Sequence, residues 1–131
     1  MTGVVRVNKL EGRSTAGSLD VTGEGNSTTT NLQQGLSKAW FHYNQSAGSE
    51  AIRDSFNQSS ITDNSTGIYT NTFTNNMNNA FYNVTGGTRG NRSQFSTNTV
   101  ATTGRGYRTA DSNNAVNDAD SNCWTTMGDL A

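Results

Sequence analysis

The sequence predicts an all-β chain: an antiparallel β-sandwich with an N-terminal strand-turn-strand arm. Three observations lead there. Segments such as KAWFHYN and GIYTNTFT alternate apolar and polar residues with period two. Strand signals return about every 8–12 residues between Gly/Asn/Ser clusters, the spacing of a sandwich or barrel. Asn, Thr, Ser, Gly and Gln fill 71 of the 131 positions and Pro is absent, which suits turns and wet strand faces rather than helices.

The elements follow in order. Val4, Val5 and Val7 with Leu10 form a β-branched run, 13–17 is a turn, and Leu19 with Val21 begins a second strand. Two strands alone are unstable, so this arm, residues 1–34, has to pair with something. Its last stretch, NSTTTNLQQ at 26–34, reads as a polar linker or loop. The sandwich is expected over 35–131. KAWFHYN sets Ala39, Phe41 and Tyr43 on one face and Trp40 and His42 on the other. Residues 52–56 and 60–62 are short strand candidates, and DNSTG is a turn in which Gly67 can take a positive φ. Tyr69, Asn71 and Phe73 share a face of the next strand. AFYNVTGG is a further strand that closes on a Gly pair, and SNNAVNDAD at 112–120 has room for one helical turn. Aromatic residues at alternating positions read as core, with Trp124 and Tyr107, outside the densest block, left as the exposed ones.

Composition excludes several classes. The chain is 31% hydrophobic, and Leu, Ile, Val and Phe together number 20. So poor an apolar inventory signals disorder only when joined to high net charge and abundant Pro, Glu and Lys. Here the net charge is -1, with three Glu, two Lys and no Pro. No apolar run approaches the ~20 residues needed to cross a bilayer, so no membrane insertion is expected. MTGVVRVNKLEG lacks the apolar core of a secretory signal, which points to synthesis in a cytoplasm. The single Cys123 can form no intrachain disulfide. Near-neutral charge removes nucleic acid as a partner. With so few large apolar residues a lone copy would be marginal, so chains sharing a core are expected.

Catalytic patterns are sparse. His42 is the only histidine and no G-x-S-x-G accompanies it, so it reads as an imidazole on a strand face. Glu50, Asp54 and Asp63 could supply a carboxylate pair, but their spacing sets no separation. No enzyme activity, catalytic residue or cofactor is therefore expected. Asp118, Asp120 and Asn122 with Asp129 have the D-x-D-x-N…D spacing of a calcium loop. Cys123 stands where that loop needs Gly, the last ligand is the shorter Asp, and flanking helices are missing, so the alternative is an acidic surface turn. Six N-x-S/T sequons occur, close to the roughly five that chance gives in so Asn- and Thr-rich a chain.

Charge separates after Gly86. Residues 86–108 hold Arg89, Arg92, Arg105 and Arg108 and no acid, while 111–129 hold Asp111, Asp118, Asp120 and Asp129 and no base. The two segments either lie side by side, meet across a subunit boundary, or are separate solvated loops. GTRGNR and GRGYR suit loops that present guanidinium and phenol groups to an anionic or sugar surface. Candidate contacts with such a surface are Asn44, Gln45 and Ser46, with Arg89, Arg92, Arg105, Tyr107 and Arg108, in loops near 44–49, 86–92 and 104–108.

Residues 36–87 also resemble a module recurrent in tail-fibre and other virion proteins of bacteriophages, especially marine ones. The resembling elements are KAW, the YN that follows, A-I-R-D-S-F-N, S-S-I-T-D-N, T-G-I-Y-T, F-T-x-x-M and F-Y-N-V. The opening VVRVNKLEG…GSLDVTG is similar to the strand-turn-strand starts of such fibres. Asn71 departs from the pattern, which has an apolar residue between Tyr69 and Phe73, and residues 88–131 carry no part of it. The resemblance implies a virion protein of a tail fibre or tail appendage, β-rich and trimeric. Its partners would be copies of itself, other virion proteins, and a host-surface glycan or protein. The alternative is a capsid or neck decoration protein that cements the particle and touches no receptor.

Overall fold

Alternation decides the two strands that begin the fold's centre. In β3 (Ala39–Asn44) the side chains of Ala39, Phe41 and Tyr43 are buried, and Trp40 and His42 stay half-buried on the other side. In β6 (Ile68–Phe73) Tyr69, Asn71 and Phe73 are buried, as successive residues of a strand point to opposite faces. The computed structural model describes residues 3–13, 19–22, 28–46, 51–90 and 92–131. The chain folds as two units, Met1–Leu36 and Ser37–Ala131.

The second unit holds two four-stranded antiparallel sheets. One runs in the order β4 (Ala51–Phe56), β3, β10 (Asn122–Met127), β7 (Asn83–Thr88). The other runs β5 (Gln58–Ser65), β6, β9 (Gly104–Asp111), β8 (Arg92–Ala101). Phe41, Tyr43 and Trp124 from the first sheet meet Ile61, Tyr69 and Tyr107 from the second in one buried cluster. Ala39, Phe73, Met77 and Tyr82 form another, and Val84 packs against both. The expected antiparallel sandwich is therefore present.

Aromatic rings do the work that aliphatic side chains do elsewhere. Tyr107 lies 4.4 Å from Trp124 and 5.3 Å from Tyr69, with Phe41 edge-on to both tyrosines. Such pairs contribute about 0.5–1.5 kcal/mol each beyond their burial. Some of the polar groups that enter the core have partners there. Trp124 Nε1 and Gln94 Nε2 both donate to the Tyr69 hydroxyl, at 2.9 and 3.1 Å. The Tyr82 hydroxyl donates to the carbonyls of Ala101 and Gly104 at 3.0 Å. These rings close on one another inside a single chain.

Several expectations need correction. Trp124 and Tyr107 are not exposed: they retain 7% and 0% of their surface, because β10 and β9 are interior strands whose inward positions face only the core. Among the residues whose burial is described, the exposed aromatics are Phe81 and Phe56. Gly86 and Gly87 lie within β7 rather than at its end. Residues 112–120 form no helical turn; Asp111 Oδ1 instead accepts from the Asn113 and Ala115 amides at 2.9 Å and pins an irregular loop. In the first unit, Val4, Val5, Val7 and Leu10 are exposed and outside any strand. The hairpin there pairs β1 (Asp20–Thr22) with β2 (Thr29–Asn31), inside the stretch expected to be a linker or loop, and one helical turn α1 (Leu32–Gly35) follows. Thr-rich β2 offers β-branched partners across β1. Most of the expected turn at 13–17 lies outside the described residues.

Candidate functional site

One end of the sandwich gathers the chain's charged connections. Register brings Asn122 beside both Tyr43 and Thr88, and Arg92 beside Asp111. The segments after β3, between β7 and β8, and between β9 and β10 therefore emerge together. Ser46, Arg89, Gly90, Arg92, Asp118 and Asp120 line a polar hollow of about 380 Å³ there. The basic and acidic segments thus lie side by side within one chain. Arg89 Nη1 sits 3.3 Å from Asp120 Oδ2, an exposed, solvent-screened pair that adds little to stability.

Local structure fixes each wall. Asn44 Oδ1 accepts from the Ser46 amide at 3.1 Å and from its hydroxyl at 3.2 Å, holding Ser46 at the mouth. Asp118 Oδ1 accepts from the Gly67 amide in the β5–β6 turn. Gly67 has φ 63°, and a Cβ there would fall within 2.8 Å of the Asn117 and Thr109 backbone. Only glycine lets that turn meet the β9–β10 loop and steady Asp118. The Arg92 side chain is half-buried and has neither an ion-pair nor a hydrogen-bond partner among the described residues.

The remaining candidates go elsewhere. Gln45 is buried and donates to Asp63 Oδ1 at 3.0 Å and to the Ser65 carbonyl at 3.2 Å, joining the two sheets. Arg108 donates to the side chain and the carbonyl of Asn114 at 2.8 Å. Arg105 lies toward the opposite end, its guanidinium 5.6 Å from the centre of the Tyr82 ring. Residues 104–108, expected as a loop, belong to β9, and buried Tyr107 cannot touch a receptor. Residues 47–49 of the first expected loop lie outside the described residues.

The calcium spacing does not close. Asp118 and Asp120 meet at the hollow, but Asn122 is fully buried, its Oδ1 taken by Gln94 and Thr109. Asp129 lies past the far end of β10, and a six-residue strand separates its ends by roughly 17–20 Å. Among the described residues no group of three His, Cys, Asp or Glu could hold a metal. Glu50 lies outside the described residues. Asp54 and Asp63 sit on strands of different sheets, and Asp54 accepts from the Ser55 amide at 2.8 Å.

Reading for loops missed a second hollow, about 570 Å³, on the outward face of the β4-β3-β10-β7 sheet. Trp40, His42, Cys123, Thr125 and Met127 line it. Its signal lay in the same alternation that placed the core, read on the opposite face. There His42 Nε2 lies 3.0 Å from Ser121 Oγ and 3.1 Å from Arg53 Nη1. A guanidinium only donates, so Nε2 is the acceptor in that contact and its lone pair is engaged. No family model, curated protein or solved structure matches the chain.

Proposed function

We infer that the chain is a passive recognition module of a bacteriophage virion, part of a tail fibre or tail appendage that assembles as a homotrimer and attaches to a host surface. One observation carries the recognition half of this reading. Ser46, Arg89 and Arg92, from separate connections, line one open polar hollow with Asp118 and Asp120 on a two-sheet frame. Binding groups on short loops of a rigid scaffold are the usual design of a recognition surface. The virion half rests on the residue pattern of 36–87 and on the Asn/Thr/Ser/Gly-rich, Pro-free composition, suited to strands that stay wet. Weak contacts at each hollow would add through three copies.

The test is an array of purified bacterial surface polysaccharides probed with the full chain. Saturable binding to some of them, lost in the Arg89→Ala/Arg92→Ala double variant, is the expected result. Binding that the double variant retains would remove the hollow as the contact site, and no binding to any polysaccharide would remove glycan attachment. Light scattering is expected to return the mass of three chains. A folded monomer at all concentrations would instead favour a decoration protein of capsid or neck, seated through the apolar hollow beside Trp40 and Met127.

A further inference from the structure

We propose that the polar hollow at the loop end selects a carboxylate-bearing sugar, one acidic unit of a surface polysaccharide. This rests on the reading that the loop end contacts a glycan, and it names which glycan chemistry fits.

Charge accounting carries the choice. The hollow holds two guanidinium groups and two carboxylates. Arg89 and Asp120 satisfy one another at 3.3 Å, and Asp118 is engaged by the Gly67 amide. The Arg92 side chain alone is left half-buried with no ion pair among the described residues, since Asp111, opposite it in register, spends its oxygens on Asn113, Ala115 and Asn117. A partly desolvated cation is costly without a counter-charge. The planar fork of arginine fits a carboxylate through two parallel N–H···O bonds.

The other walls restrict what carries that carboxylate. Asp118 and Asp120 each keep a second carboxylate oxygen with no hydrogen bond to the described residues. Those oxygens only accept, so they suit the hydroxyl donors of a sugar. The Ser46 oxygen, its proton directed to Asn44, also remains an acceptor. A neutral sugar would leave Arg92 unpaired. A phosphate dianion would meet the same two carboxylates with twice the charge of a sugar acid, so like-charge repulsion disfavours it more. A volume of about 380 Å³ lies near the lower end of ligand pockets, roughly 300–1,000 Å³, room for one sugar unit.

The experiment titrates the full chain with sodium glucuronate, N-acetylneuraminate, glucose and inorganic phosphate, following amide shifts by NMR. Either sugar acid is expected to move the Arg92, Asp118 and Asp120 amides saturably and to bind at least about tenfold more tightly than glucose, as charged hydrogen bonds allow. Arg92→Ala is expected to abolish that preference, and Asp120→Asn, which removes a like charge and frees Arg89, to strengthen acid binding while keeping it. Unchanged dispersion of the remaining spectrum shows that each variant is folded. Equal affinity for glucose and the acids, or phosphate binding more tightly than either acid, would overturn the proposal. Retained acid preference in Arg92→Ala would do so too. Polysaccharide binding on the array without any response to the sugar acids would overturn this proposal and leave the attachment reading standing; loss of both would remove both.

Discussion

Asn71 stands where an apolar residue would complete the buried face of β6, and it is fully buried. Its Nδ2 donates to Gln58 Oε1 at 2.7 Å and its Oδ1 accepts from the Arg105 amide at 2.9 Å. One amide side chain thereby ties β6 to the first residue of β5 and to β9 beyond the ladder bonds. Asn71→Ala strands a buried amide proton and a glutamine oxygen, each costing about 1–3 kcal/mol when unsatisfied. Urea unfolding of this variant is expected to show a loss of about 2–4 kcal/mol with an unchanged slope. Sequence placed Asn71 on the inward face correctly but held no sign of its partners, because both contacts depend on how β6 pairs on each side.

Within β7, two adjacent glycines have opposite roles. A Cβ on Gly86 would lie 2.5 Å from the Trp124 ring and from the Cys123 carbonyl, whereas Gly87 has nothing within 4 Å. Gly86 is the gap over which the β10 indole packs, and Gly87 opens onto the outward face. Gly86→Ala is expected to cost about 1–3 kcal/mol by overpacking and to alter the near-UV tryptophan signal. Gly87→Ala should stay within about 0.5 kcal/mol of the parent and leave that signal unchanged. Thermal melts with near-UV circular dichroism on both variants check the contrast. Period-two patterning revealed β3 and β6 because their buried faces are written in aromatic residues. It did not reveal β9, where Gly104, Gly106 and Ala110 on one face are buried as well as Tyr107 and Thr109 on the other, so burial does not alternate and comes from being flanked by β6 and β8.

For the molecule as a whole, the tyrosine-built core sets a limit at high pH. Burial raises the Tyr69 and Tyr107 phenols above their ordinary value of 10.0, and burial raises Tyr82 as well. A phenol that ionises at higher pH when folded is stabilised in its neutral form. Its contribution is complete below the unfolded value near 10 and is lost as pH climbs above it, because the unfolded chain then releases protons that the folded chain keeps. Unfolding free energy is therefore expected to fall steeply above about pH 10. Phenolate absorbance from these residues should appear together with loss of the near-UV spectrum. Phenolate absorbance developing fully while the near-UV spectrum persists would show that the buried phenols do not hold the fold.

What the sequence determined by itself is local: the strand character, the inward faces of β3 and β6, and a polar surface without charge excess. These follow from neighbours one or two positions apart, where side-chain alternation and turn chemistry act. Only the tertiary structure decided which strands lie side by side, that Trp124 and Tyr107 belong to the core, and that Ser46, Arg89, Arg92, Asp118 and Asp120 share one hollow. Those outcomes depend on hydrogen-bonded register between strands far apart in the chain, such as Asn122 beside both Tyr43 and Thr88. No short window of residues encodes such a pairing, because its stabilisation comes from burying two sheets against each other at once.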